Sequence, residues 1–96
     1  MESTRAIAAF AAMAHETRLD VFRTLVRAGR PVPAGMLAER LDVPGSTLSF
    51  HLKELRLAGL VSSERQGRSL LYAADFDTLR ALQAFLVRDC CQGLLP

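Results

Sequence analysis

Ser46-Thr47-Leu48-Ser49-Phe50-His51-Leu52-Lys53-Glu54-Leu55-Arg56-Leu57-Ala58, closed by Gly59, is the stretch that decides the fold. Leu48, Leu52 and Leu55 recur at i, i+4 and i+7, the spacing of a core-facing helical stripe, and Gly59 stands where a C-terminal cap belongs. Around the wheel, Gly45, Ser46, Ser49, Phe50 and Lys53 fall on the opposite face. That face is small, rich in hydroxyls and headed by a helix N-terminus, whose free N–H groups attract phosphate. It suits insertion into a nucleic-acid groove.

Working outward, Asp42-Val43-Pro44-Gly45 is a turn, and before it Ala34 to Leu41 forms a short helix with Met36, Leu37 and Leu41 on one side. Gly29-Arg30-Pro31-Val32-Pro33 forces a break. Upstream, Leu19, Val21, Phe22, Leu25 and Val26 predict a helix from His15 or Glu16 to Ala28, capped by Gly29. Ile7, Ala8, Phe10, Ala11 and Met13 predict an Ala-rich first helix over 4–14. Met36 and Phe22 are read most simply as core. Downstream, Leu60-Val61-Ser62-Ser63-Glu64-Arg65 and Ser69-Leu70-Leu71-Tyr72-Ala73 flank Gln66-Gly67-Arg68, a β-hairpin with glycine at its tip. A last helix over 76–89 carries Leu79, Leu82, Phe85 and Leu86, more apolar surface than a small core can cover. The fold class is mainly α with a small β-hairpin: a winged helix-turn-helix of about five helices and a two-stranded wing, paired as a homodimer through its first and last helices.

The 96 residues allow one domain, 1–96, with a modest core for which dimerisation is a remedy. Half the residues are hydrophobic and 23% charged, a globular balance, and the formal charge of +2 permits nucleic-acid binding without demanding it. With no membrane span and no basic secretory start, a cytoplasmic location is expected and no membrane partner. The two cysteines, Cys90 and Cys91, stand side by side at the end of the last helix. In a reducing compartment they are free thiols, metal ligands or redox sensors rather than a structural disulfide. A thiol pair joined to a DNA-binding module reads as a chemical switch. An enzyme is not expected, since there is no Cys-x-x-Cys, no evident base beside the pair and no cofactor loop.

His15-Glu16-Thr17-Arg18-Leu19-Asp20-Val21-Phe22, Leu37-Ala38-Glu39, Ser46 to Leu55, Ala58-Gly59-Leu60-Val61 and Gln66-Gly67-Arg68 with Tyr72 together resemble the ArsR/SmtB family of bacterial winged-helix repressors, over nearly the whole chain. The resemblance implies a homodimer on a palindromic double-stranded operator, released by an inducer to raise transcription of a detoxification or efflux operon. Many members carry a cysteine box at the start of the third helix, where this chain reads Pro33-Ala34-Gly35-Met36-Leu37. Zinc-sensing members resemble another pattern, with Asp and His along the last helix; here Asp75, Asp77 and Asp89 occur without a His, which argues against a hard or borderline metal. Cys90-Cys91 is instead similar to the vicinal pair near the C-terminus of an arsenic-responsive branch.

Adjacent thiolates favour soft centres, so the expected inducers are arsenite, methyl- or aryl-arsenic(III) species and antimonite, with no cofactor required. Arsenite takes three sulfurs, the third from glutathione or the partner subunit, whereas organoarsenicals are saturated by two. Alternatives stay open at this point: the cysteines as small hydrophobes, as a redox or persulfide sensor, or as incidental residues of a constitutive regulator. For DNA, Gly45, Ser46, Thr47 and Ser49 are expected at phosphates or base edges, Phe50 at a thymine methyl, and Lys53 and Arg68 at phosphates, Arg68 also being readable as a solvated turn charge. His51 has either a structural hydrogen bond or a DNA contact, and His15 a helix-start or interface role.

Overall fold

The computed structural model describes residues 1–93, which form five helices and three strands: α1 (Ser3–Met13), α2 (Glu16–Ala28), β1 (Val32–Pro33), α3 (Ala34–Leu41), α4 (Gly45–Leu57), β2 (Val61–Gln66), β3 (Ser69–Ala74) and α5 (Phe76–Val87). Local chemistry sets most of these limits. The His15 ring Nδ1 accepts from the Thr17 N–H at 3.1 Å, which makes His15 the N-cap of α2. Gly29, at φ 66°, ends that helix by donating to the Leu25 carbonyl. At the end of α4, Gly59 takes φ 80°, and the Gly59 and Leu60 amides donate back to the Arg56 and Leu55 carbonyls. This double return satisfies carbonyls the helix leaves open, and it buries Leu60 against Leu55.

The core is one cluster. Ala6, Ala9 and Ala12 give α1 a face of methyl groups, and Val21, Phe22, Leu25, Leu37, Leu48, Leu52, Leu55, Leu60 and Leu82 fill the space behind it. Small side chains along α1 let its backbone approach closely. The sheet order is β1-β3-β2, antiparallel throughout, with Val32 opposite Tyr72 and Val61 opposite Ala74. The sequence predicts only a break at 29–33 and a two-stranded wing. Val32 and Pro33 add a third strand instead, because the partners that satisfy it on β3 are about forty residues away in sequence, beyond any local pattern.

Two further expectations are corrected. Met36, read as core, is 55% exposed, since the inward side of α3 is held by Leu37 with Ala38 and Leu41 packed beside it. The last helix stops at Val87 rather than Asp89, and Asp89 and Cys91 take φ of 61° and 67° in the turns that follow. The whole is drawn out: its radius of gyration is 15.2 Å and its longest extent 56 Å. A compact globule of this length would have a radius of about 12.5 Å. Ile7 and Phe10 on α1, and Leu86 and Val87 on α5, remain exposed.

Candidate nucleic-acid interface and thiol site

α3, the turn Asp42 to Pro44 and α4 form the helix-turn-helix. Pro44 precedes the first turn of α4 with no side-chain cap, so the Gly45, Ser46 and Thr47 amides have no partner in their own helix, while the Leu48 amide already donates to the Pro44 carbonyl. A Cβ on Gly45 would meet no atom within 4 Å, so nothing inside the chain requires glycine there. Ser46, Thr47, Ser49 and Lys53 are exposed, and Phe50 is 53% exposed, an aromatic ring held in water by a helix whose other side carries the core leucines. Six of the eight expected contact residues therefore share one exposed face of α4, beginning at its open N-terminus.

His51 does not join them. It sits three residues after Leu48 and four before Leu55, which turns it inward to 6% exposure. Its Nδ1 accepts a hydrogen bond from Arg18 Nε at 3.3 Å, and the same guanidinium donates to the Ala12 carbonyl at 3.4 Å. The His15 ring lies 4.8 Å away and the Phe50 ring 5.6 Å, centroid to centroid. Burial lowers the His51 pKa below its ordinary 6.5, with repulsion from His15 and Arg18 adding to it. The structural role, rather than the groove-facing one, is the role this geometry builds: Arg18 and His51 tie the end of α1 and the start of α2 to the middle of α4. Arg18 was not singled out in the sequence, although its place one helical turn after His15 is a signal of that role.

The wing projects beyond the core. From Ser62 to Gln66 every residue of β2 is exposed, and Gly67, at φ 61°, turns the chain so that Arg68 stands at the tip. Arg65, opposite Leu70, adds a second exposed cation on the strand leading to it.

Cys90 and Cys91 are both free and both exposed. They follow α5 rather than ending it, but the Cys90 amide donates to the Val87 carbonyl at 2.9 Å, so the pair is tied to the last residue of that helix. The neighbouring Cys91 side chain, with a smaller contribution from lost water, holds the Cys90 thiol above its ordinary pKa. Among the described residues no three His, Cys, Asp or Glu side chains gather into a metal-holding group. Likewise no described helix is long and apolar enough to cross a membrane.

An exposed helix face with an open N-terminus, set beside a basic-tipped hairpin, defines a winged helix-turn-helix transcriptional regulator. The chain matches the family model described as a helix-turn-helix domain over residues 13–64. It is 33% identical over 78 residues to YceK, an uncharacterized HTH-type transcriptional regulator of Bacillus subtilis, spanning 80% of this chain and 78% of that one. It is 32% identical over 91 residues to the transcriptional activator HlyU of Vibrio cholerae, spanning 95% and 82%. The solved structure of an ArsR-like transcriptional regulator from Rhodococcus sp. RHA1 superposes with a TM-score of 0.82 at 31% identity, over 93% of this chain and 82% of that one. The chain belongs to the ArsR/SmtB family, whose members are DNA-binding transcriptional regulators and not enzymes.

Proposed function

We propose that the protein is a homodimeric repressor that holds a palindromic operator with two copies of α4 and the wing, and lets go when Cys90 and Cys91 capture trivalent arsenic. The observation that carries this reading is the pair of free, exposed, adjacent thiols on a segment whose Cys90 backbone amide donates to the last residue of an apolar final helix. Capture is a condensation: two S–H groups and an As(OH)₂ unit give two As–S bonds and two waters, with no change of oxidation state. An organoarsenical is saturated by this pair, whereas arsenite needs a third sulfur from glutathione or the partner subunit. Organoarsenicals therefore bind at least as well as arsenite, and antimonite is a further inducer of the same chemistry.

Pairing through α1 and α5 is supported by the exposed Ile7, Phe10, Leu86 and Val87 and by the elongated shape. A neighbour of the same fold from Mycobacterium bovis is described as a homodimeric winged helix-turn-helix domain. A ring closed at residues 90–91 strains the end of α5 and so alters the spacing of the two reading heads; a coupling of roughly 1–3 kcal/mol is enough to release an operator. The test joins two readouts on one sample. Intact mass should show one methylarsenic per chain on the wild type and none on the Cys90→Ser, Cys91→Ser variant, and only the wild type should leave the DNA. A stoichiometric adduct that leaves DNA binding unchanged would remove the switch and keep only the trap.

A second reading, a redox or persulfide switch on the same thiols, is favoured by one observation: the Vibrio cholerae relative has been solved in a form described as reduced, which names a redox state for that protein. Reversible release by polysulfide or peroxide without arsenic would establish it. The strain of a disulfide between adjacent residues weighs against it.

A further inference from the structure

Between the last turn of α2, the loop into β1 and α3 lies a cleft of about 320 Å³ that neither the reading face nor the thiols use. Its volume lies within the range of small-molecule sites, roughly 300–1,000 Å³. Three guanidinium side chains border it from three different segments: Arg27 on α2, Arg30 in the loop and Arg40 on α3. No aspartate or glutamate lines it. Glu39 borders only a shallower neighbouring groove that shares Met36 and Arg40. Among the described residues the ion pair present is Arg80 with Asp77 on α5, so none of the three cations is neutralised within the chain.

The remaining walls are apolar. Val32 and Leu37 are buried and form the floor, and Met36 stands at the rim, where its unbranched thioether adapts to what lies against it. Thr24 also lines the cleft, but its hydroxyl donates to the Asp20 carbonyl of its own helix at 2.7 Å, which leaves the polar recognition to arginine. Guanidinium groups grip carboxylate and phosphate through paired N–H donors, and an apolar floor adds to affinity only for a ligand with an apolar body. A phosphodiester backbone makes no use of such a floor.

We propose that this cleft is a second ligand site, for a small organic anion: a compact apolar body bearing a carboxylate or phosphate, its charge between the arginines and its body on Val32, Met36 and Leu37. Such a ligand rests on α3, the helix joined to the reading helix by the turn at Asp42 to Pro44.

Phenyl phosphate is the probe, titrated into ¹⁵N-labelled full chain and followed by amide chemical shifts, with inorganic phosphate and benzyl alcohol as separate titrations. Saturable shifts centred on Val32, Leu37 and Arg40 are expected, with each single-feature probe at least tenfold weaker. The Arg27→Gln, Arg40→Gln variant changes two exposed side chains and should keep the native spectrum while weakening phenyl phosphate at least tenfold. Equal affinity for inorganic phosphate would reduce the cleft to a diffuse basic patch and overturn the proposal. So would shifts that do not saturate, or that centre elsewhere. If phenyl phosphate does not bind and the double variant instead lowers the salt dependence of DNA binding, the arginines belong to the duplex. None of these readouts involves Cys90 or Cys91, so the site stands or falls independently of the thiol switch.

Discussion

His51 carries a hydrogen bond that only its neutral form can make. With Nδ1 accepting from Arg18, a proton placed there removes the bond and sets a cation against a guanidinium. The folded-state pKa is lowered by burial first, then by His15 and Arg18, so the unfolded chain takes up a proton near 6.5 while the folded chain resists it. More protons are then bound in the unfolded state, and stability rises with pH across this window. The contribution is intact above about pH 7.5 and is lost as pH falls through 6.5 toward the lowered value. Denaturant unfolding should show a midpoint that drops from pH 7.5 to 5.5, and His51→Gln, which keeps an acceptor for Arg18 without titrating there, should flatten that drop. A wild-type midpoint level over the window would contradict the burial argument. At Cys90 the shift is upward and likewise favours the neutral form: a thiol already protonated at neutral pH is held protonated to higher pH, so the rate of arsenical capture should climb roughly tenfold per pH unit below that pKa. A pH-independent rate would assign the attack to another group.

The inward turn of His51 was legible in principle, because its spacing from Leu48 and Leu55 completes the same stripe that predicts the helix. A lone polar residue in such a stripe is ambiguous until its partner is known, and Arg18 lies 33 residues away. Met36 misleads for the opposite reason: an eight-residue helix is too short for its periodicity to separate a core position from a rim.

Elements bounded by capping chemistry agree between sequence and structure. α2 ends at Ala28 with Gly29 as its cap, and α3 spans Ala34–Leu41 as its pattern predicts. β1 is invisible locally because two residues with a proline have no period, and the pairing that makes them a strand comes from β3. The end of α5 is misjudged because no glycine or proline interrupts residues 88–92, yet past Val87 there is no core left for another turn to cover. For α4, the division between its faces predicts unequal costs. Leu52→Ala, on the buried face, should destabilise the fold by about 2–5 kcal/mol in chemical denaturation. Lys53→Ala on the open face should leave stability unchanged and weaken binding to every DNA sequence, lowering the salt-dependence slope by about one unit per reading head. Arg68→Ala at the wing tip should do the same. An unchanged slope for either would strike that side chain from the contacts.

At the scale of the molecule, the proposed dimer closes on the exposed apolar residues of α1 and α5, and the chain is elongated as one half of such a pair would be. Each substitution acts twice in a symmetric dimer, so Leu86→Glu should remove about 3–6 kcal/mol of burial and weaken association by at least a hundredfold in analytical ultracentrifugation. A dimer that persists through this change would place the interface elsewhere. The central claim, that the thiols at the end of the last helix govern DNA binding, is tested most directly by fluorescence anisotropy. The DNA is a duplex selected from a random pool, the solution reducing and metal-free, and the titrant methylarsenite, added to wild type and to the Cys90→Ser, Cys91→Ser variant. Full release of the wild type and tight, indifferent binding by the variant are expected; equal release of both, or of neither, would overturn the thiol switch.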